Sequence, residues 1–222
     1  MKSRSVFAAA ALLVVCLPLS ATIISGTVTG GTAATAGGTF LKLSLPLLNP
    51  FGPLDSVGDD TFQRSNLFGF DEDQNILLTV PLAVDVGSGA IPAGTVVASH
   101  YIFFDPGPVE SMVGVVNFDS DVLAIITSTD NLALSDFLAN TGVDYLSPTL
   151  RGLEAEDRDS VTISGPRQIR FATIASTPGD YVRVLTAFSP AAQNPEPAAG
   201  ILVAAGLFAL VAIRRRSIAR RS

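Results

Sequence analysis

Residues 22–188 break into short apolar runs of 4–10 residues, rich in β-branched and aromatic side chains and separated by clusters of Gly, Pro, Asp and Asn. Long amphipathic helices need an apolar stripe sustained over several turns, whereas runs of this length and punctuation fit strands. Ten such runs cover 22–29, 39–45, 62–70, 76–80, 95–104, 114–118, 122–127, 161–164, 168–174 and 181–188. Ten strands imply two packed sheets, so the expected fold is all-β, a single β-sandwich-like domain. One segment departs from the pattern: Asp130 can cap a short helix that presents Leu134, Phe137 and Leu138 on one face before Gly142 stops it. The low-complexity stretch 30–38, with Gly at both ends and Ala and Thr between, reads as a flexible loop. No solenoid period repeats along the chain.

Both ends are apolar in a different way. Lys2 and Arg4 precede an Ala-rich apolar run over 6–17, and Pro18-Leu19-Ser20-Ala21 follows it. That order is the layout of a secretory signal peptide over 1–21 with cleavage after Ala21, which makes the secretory translocation machinery an expected partner. A lipoprotein reading at Cys16 is weaker, because Val15 is not the small residue expected before it. Cys16 is the sole cysteine and falls inside this run, so the mature protein would hold no disulfide and would depend on its core.

At the other end, Asn194-Pro195-Glu196-Pro197 leads into 198–213, which carries no charge, and then into Arg214, Arg215, Arg216, Arg220 and Arg221. Sixteen residues at helical rise span about 24 Å against a hydrocarbon core of about 30 Å, so a transmembrane helix over 198–213 is short and needs snorkelling flanks or a thinned bilayer. Pro197 suits the first turn of that helix, where its missing N–H costs nothing. The arginines keep the tail cytoplasmic, so the residues before Pro195 face outward, as the N-terminal signal independently requires.

Pro195-Glu196-Pro197, an apolar segment containing Gly206-Leu207 and a terminal Arg cluster together resemble the sorting signal of PEP-CTERM proteins. The resemblance covers 195–222 and implies an exosortase as partner, with Pro195, Glu196 and Pro197 acting as recognition features that perform no chemistry. The 189–194 linker is short and poor in Ser and Thr, which lowers the expectation of a glycosylated stalk. A plain C-terminal membrane anchor is the competing reading and shares the same topology. Three body stretches, Ser99-His100-Tyr101-Ile102-Phe103-Phe104-Asp105-Pro106, Arg151-Gly152-Leu153-Glu154 and Ser176-Thr177-Pro178-Gly179-Asp180-Tyr181-Val182-Arg183-Val184-Leu185-Thr186, look similar to a body type of other PEP-CTERM proteins. That likeness implies a fold and an envelope setting without an activity.

Between 22 and 194 stand 19 carboxylates against 7 Lys and Arg. A body this acidic repels phosphates and anionic lipid, which argues against nucleic acid and favours divalent cations or neutral polysaccharide as partners. Asp71-x-Asp73-x-Asn75 opens like a calcium loop, yet Ile76 stands where a Gly is required and Leu82 where a bidentate Glu belongs. The motif fails, and this group and the carboxylates at Glu154, Glu156, Asp157 and Asp159 read as solvated turns, so no metal ligand is assigned.

Catalysis finds little to work with. His100 is the only histidine, it sits in an apolar run, and no Gly-x-Ser-x-Gly elbow accompanies it. A structural histidine is the expectation; a hydrolase would need it beside a carboxylate and a hydroxyl. Tyr101, Phe103, Phe104 and Tyr181 offer a saccharide platform, although alternation puts Tyr101 and Phe103 on one side of a strand, where core packing is the simpler use. No catalytic residue and no cofactor is assigned. The sequence reads as an exported, non-enzymatic surface or matrix protein, with an exopolysaccharide-binding module and an unrecognised hydrolase as alternatives.

Overall fold

The computed structural model describes residues 23–154 and 159–188. The expected signal segment 1–21, the expected linker 189–194 and the expected sorting segment 195–222 lie outside the described residues. In chain order the first strands are β1 (Ile23–Gly30), β2 (Phe40–Lys42), β3 (Ser56–Val57), β4 (Leu67–Asp71), β5 (Ile76–Leu77), β6 (Leu82–Ala83) and β7 (Ala90–Ile91). They are followed by β8 (Val96–Phe104), β9 (Glu110–Phe118), β10 (Val122–Ile126), β11 (Asp144–Tyr145), β12 (Ser160–Gly165), β13 (Gln168–Ala175) and β14 (Asp180–Ala187). Two short helices, α1 (Gly31–Thr35) and α2 (Thr129–Leu134), complete the set with 3₁₀ turns at Asp136–Leu138 and Pro148–Leu150.

The all-β reading holds. One sheet is antiparallel throughout, in the order β1-β9-β13-β12; the other runs β10-β14-β8-β4-β2, with β5 added beside β8 and a parallel pairing only between β2 and β4. The chain crosses between sheets from β8 to β9 and from β13 to β14. Ile23, Met112, Val116, Phe118, Ile169 and Phe171 of the first sheet share one buried cluster with Leu67, Ile102, Phe104, Ile125, Val182 and Val184 of the second. Each sheet therefore covers an apolar face of the other, as strands with period-two alternation require.

The second sheet is buried on its other face as well. Phe68, Phe70, Val97, Tyr101, Phe103, Tyr181 and Leu185 point away from the sandwich and join Leu47, Phe62, Leu78, Leu82, Leu132 and Leu138 in a separate cluster. These last residues come from connecting segments and short elements laid over the sheet. A sheet covered on both faces has no polar side, which is why β8 reads Val-Val-Ala-Ser-His-Tyr-Ile-Phe-Phe without alternation and is buried from Val97 to Phe104. Fully burying one such side chain contributes about 1.5–3 kcal/mol, so this covering layer is a second core.

Two local expectations change. The stretch 30–38 is not a loop throughout: α1 occupies its first half, Ala33 is fully buried, and Thr32 and Ser111 exchange hydrogen bonds, Thr32 N to Ser111 Oγ at 2.9 Å and Ser111 N to Thr32 Oγ1 at 2.8 Å. Low complexity concealed one apolar contact and one reciprocal polar lock. In the predicted helix, Ser128 rather than Asp130 takes the N-cap position, and Leu132 with Leu138 is buried while Leu134 and Phe137 are exposed. The helix stops at Leu134 and a 3₁₀ turn follows, so the helical period is broken before Phe137. The turn that leads into the helix is held from elsewhere in the chain: Thr127 N and Ser128 N donate to Asp85 Oδ2 at 2.7 and 2.8 Å. Those bonds outweigh the cost of partial burial and hold the Asp85 carboxyl below its usual range.

Candidate functional site

Ala21, Pro195, Glu196, Pro197, Arg214, Arg215, Arg216, Arg220 and Arg221 all lie outside the described residues, as does the apolar segment 198–213. Among the described residues no helix is long and apolar enough to cross a membrane. The remaining sequence candidates fall in the body, where the structure redistributes them.

The run Asp71-Glu72-Asp73 does not converge, because successive residues at a strand end face opposite ways. Asp71 turns into the sandwich, where its Oδ1 lies 2.8 Å from His100 Nδ1 and its Oδ2 lies 2.7 Å from Lys42 Nζ. Burial pushes this carboxyl up, but the hydrogen bond and charge of His100, followed by Lys42, outweigh it and hold Asp71 below the ordinary range. A carboxylate only accepts, so His100 Nδ1 carries the proton, and His100 Nε2 faces Thr186 Oγ1 at 3.1 Å. Carboxylate, imidazole and hydroxyl thus stand in the order of a hydrolytic relay. His100 and Thr186 are nevertheless sealed from solvent, and the Phe118 ring packs on the imidazole at 4.9 Å. A nucleophile must touch its substrate, and this hydroxyl touches only the protein interior. The geometry is that of a satisfied polar pin between adjacent strands.

Glu72 turns the other way, into the second core. Arg183 Nε donates to its Oε2 at 2.7 Å and Nη2 to its Oε1 at 2.9 Å, while Ser99 Oγ and Tyr145 OH donate to the same carboxylate at 2.6 and 2.7 Å. Arg183 also donates through Nη1 to Ser135 Oγ and to Leu132 O, and Arg151 grips Asp136 at 2.8 and 2.7 Å nearby. The network ties the α2 segment and β11 onto the sheet. Burial and the adjacent Glu72 charge push the Tyr145 hydroxyl far above its usual range, so it remains a donor at any physiological pH. Reading these carboxylates as solvated missed this, since nothing local distinguishes a buried Glu from an exposed one.

Tyr101, Phe103, Phe104 and Tyr181 form no surface platform. All four are buried, Phe104 inside the sandwich and the other three in the second core, where the Phe103 and Tyr181 rings stack at 5.6 Å. Their role is packing.

The three body stretches quoted above do come together, at one end of the second sheet. Tyr181 and Phe103 are register partners on neighbouring strands, Asp180 pairs with Phe104, and Tyr181 N donates to Gly152 O at 3.4 Å. Gly179 makes this approach possible: its φ is +93°, and a Cβ there would lie 2.8 Å from Phe104 O. Beside this junction Glu154, Asp159 and Asp180 each bring a carboxylate oxygen within 4.8 Å of the other two. Glu154 and Asp180 line a cavity of about 90 Å³ formed largely by the β13–β14 hairpin. Burial, reinforced by the Asp159 and Glu154 charges, pushes Asp180 up to about 8. Asp180 lies in a stretch singled out for resemblance and not for chemistry, 21 positions beyond Asp159, and only the fold brings it to the pair.

Compared with models of known protein families, with curated proteins and with solved structures, the chain gives no significant match to any of them.

Proposed function

We propose that this chain is an exported, non-enzymatic envelope protein whose β domain is delivered to the cell surface or extracellular matrix by a PEP-CTERM-type signal that an exosortase processes. The observation that carries this reading is the ordered C-terminus, Pro195-Glu196-Pro197 followed by an uncharged run and five arginines, opposite an N-terminal segment built as a secretory signal. The body is compatible with that destination. It contains no cysteine after Cys16, and two apolar clusters give it a core that needs no disulfide. Its one histidine is occupied by strand-to-strand contacts, which favours a binding or structural role over hydrolysis.

Expression of the full chain with and without an exosortase, followed by intact-mass measurement of the released protein, tests the reading. The expected product begins after Ala21 and lacks the Arg cluster only when the exosortase is present. A released form that runs to Ser222 under both conditions overturns the sorting proposal and leaves a plain anchor with the same topology. Protection of the β domain from protease in spheroplasts overturns export itself.

A second reading, a saccharide-binding module of the extracellular matrix, has one specific feature in its favour. A cleft of about 350 Å³ is lined by Leu41, Leu48, Pro50, Arg64 and Asn66, and exposed Phe51 lies under the Arg64 guanidinium at 5.7 Å. Apolar walls with a few polar groups are what a sugar ring uses. Glycan-array binding that is lost in Phe51→Ala favours this module; an array without signal removes it.

A further inference from the structure

The acidic corner beside the β13–β14 hairpin holds a buried carboxylate that pairs with no cationic side chain among the described residues. Asp180 is fully buried, and neither of its carboxylate oxygens has a hydrogen-bond partner. The Thr173 hydroxyl next to it is also buried, at 4% exposure, and likewise makes no hydrogen bond. Thr173 lies close enough to Asp180 to oppose the rise in its pKa, while Glu154 adds to that rise both by its charge and by favouring a proton held on Asp180. Among the described residues no cationic side chain pairs with Asp180 or Glu154; the basic residues with ion pairs, Lys42, Arg151, Arg167 and Arg183, are committed to other carboxylates. A carboxylate buried this way is charged only when a cation accompanies it, so a bound cation takes the place of the proton. Asp180 thus presents a buried, cation-free carboxylate on the wall of one small cavity.

We infer that Glu154, Asp159 and Asp180 form a Ca²⁺ site that fastens Glu154 and the residue preceding β12 to the β13–β14 hairpin. The spacing selects the ion. Calcium binds oxygen at about 2.3–2.6 Å, so no two of its ligands stand more than about 4.6–5.2 Å apart, and the three carboxylate oxygens, all within 4.8 Å of one another, meet that limit. Magnesium at about 2.0–2.1 Å draws opposite ligands to about 4.2 Å and demands a near-ideal octahedron, which an irregular corner of strand ends does not supply. The hairpin Ser176-Thr177-Pro178-Gly179 borders the same cavity, so backbone carbonyls are at hand to raise the ligand number. Asp159 is already oriented, because its Oδ1 accepts the Ile174 N–H at 2.8 Å. Ligands that are separate in sequence and fixed by different strands make binding a statement about the fold, since the unfolded chain holds no such trio.

The inference does not depend on where the chain resides, and its test differs from the sorting experiment. The full-length chain in mild detergent, stripped with a chelator, is melted in rising CaCl₂ and, separately, MgCl₂ at constant ionic strength. Calcium at about one hundred times its Kd raises Tm by about 5–10 °C, and magnesium at the same concentration raises it far less. Asp180→Asn abolishes the calcium response while melting no lower than the wild-type chain without metal, because the uncompensated buried charge has gone. Glu154→Gln changes an exposed residue, leaves the fold intact and weakens calcium binding at least tenfold, so it carries the test if Asp180→Asn fails to fold. No calcium-dependent shift up to 10-fold above about 1 mM, the weak end for extracellular modules, overturns the site. So does a shift that survives Glu154→Gln unchanged.

Discussion

Arg183 on β14 and Glu72 just past β4 stand 111 residues apart in sequence, yet the guanidinium engages both carboxylate oxygens with neither side chain reaching solvent. Two further hydroxyls, of Ser99 and Tyr145, saturate the carboxylate. A buried pair of this kind adds little net stability compared with apolar packing, but removing one member strands the other.

Arg183→Met is therefore expected to cost about 3–5 kcal/mol in urea unfolding, because Glu72 keeps its burial and loses its counter-charge. Glu72→Gln/Arg183→Met recovers a measurable part of that loss. Additive single and double variants show instead that the pair is not coupled.

Gly179 and Gly89 both have positive φ, +93° and +83°, but only Gly179 has backbone against the place a Cβ would occupy; Gly89 has nothing within 4 Å. Gly179→Ala is expected to destabilise by more than the roughly 1–3 kcal/mol typical of a strained backbone position, and Gly89→Ala by no more than that range. Thermal melts of the two variants side by side check this, and equal losses count against the close approach at Phe104.

Thr186→Val removes the hydroxyl that faces His100 Nε2 and leaves a buried ring nitrogen without that partner, at a cost of about 1–3 kcal/mol. The variant is expected to unfold earlier without changing any esterase signal of the preparation. A signal that vanishes in both Thr186→Val and His100→Gln while the fold persists would assign the relay a catalytic role.

Asp105 is buried, takes one hydrogen bond from Phe62 N at 3.0 Å, and is pushed up to about 7, first by burial, with the nearby Asp60 and Asp59 charges adding to it. An unfolded Asp titrates near 3.9, so between about pH 4 and pH 7 the folded chain binds the extra proton. Its contribution to stability is complete below pH 4 and is lost as pH rises through 7. Asp71 works in the opposite sense: held low, it contributes above about pH 4 and its share is lost on acidification. In chelator the melting temperature is expected to fall from pH 5 to pH 8, and Asp105→Asn, which preserves an acceptor for Phe62 N, flattens that fall. An unchanged slope in the variant removes Asp105 as its cause.

Strand existence was legible from the residues. All ten expected runs contain or overlap a strand, because Val, Ile, Phe and Thr runs stopped by Gly, Pro or Asp leave the backbone few other choices. The two-residue strands β3, β6, β7 and β11 fell outside the expected runs, whereas β5, of the same length, lay inside the longer apolar run 76–80. The second core was visible only as a missing alternation in β8, a signal that equally fits a buried helix segment. The function of His100 could be narrowed from its neighbours, whereas Asp71 and Thr186 emerged as its partners only through β4 and β14.

By itself the sequence determined the all-β class, the acidic character of the body and the order of charged and apolar runs at its ends, since each rests on local composition and periodicity. The tertiary structure alone decided that Glu72 lies buried against Arg183, that four aromatic residues pack inward, and that Asp180 meets Glu154 and Asp159. The reason is physical: a carboxylate has the same covalent chemistry wherever it stands, and whether it is solvated, paired or left to attract a cation depends on distant segments that strand pairing brings within a few ångströms.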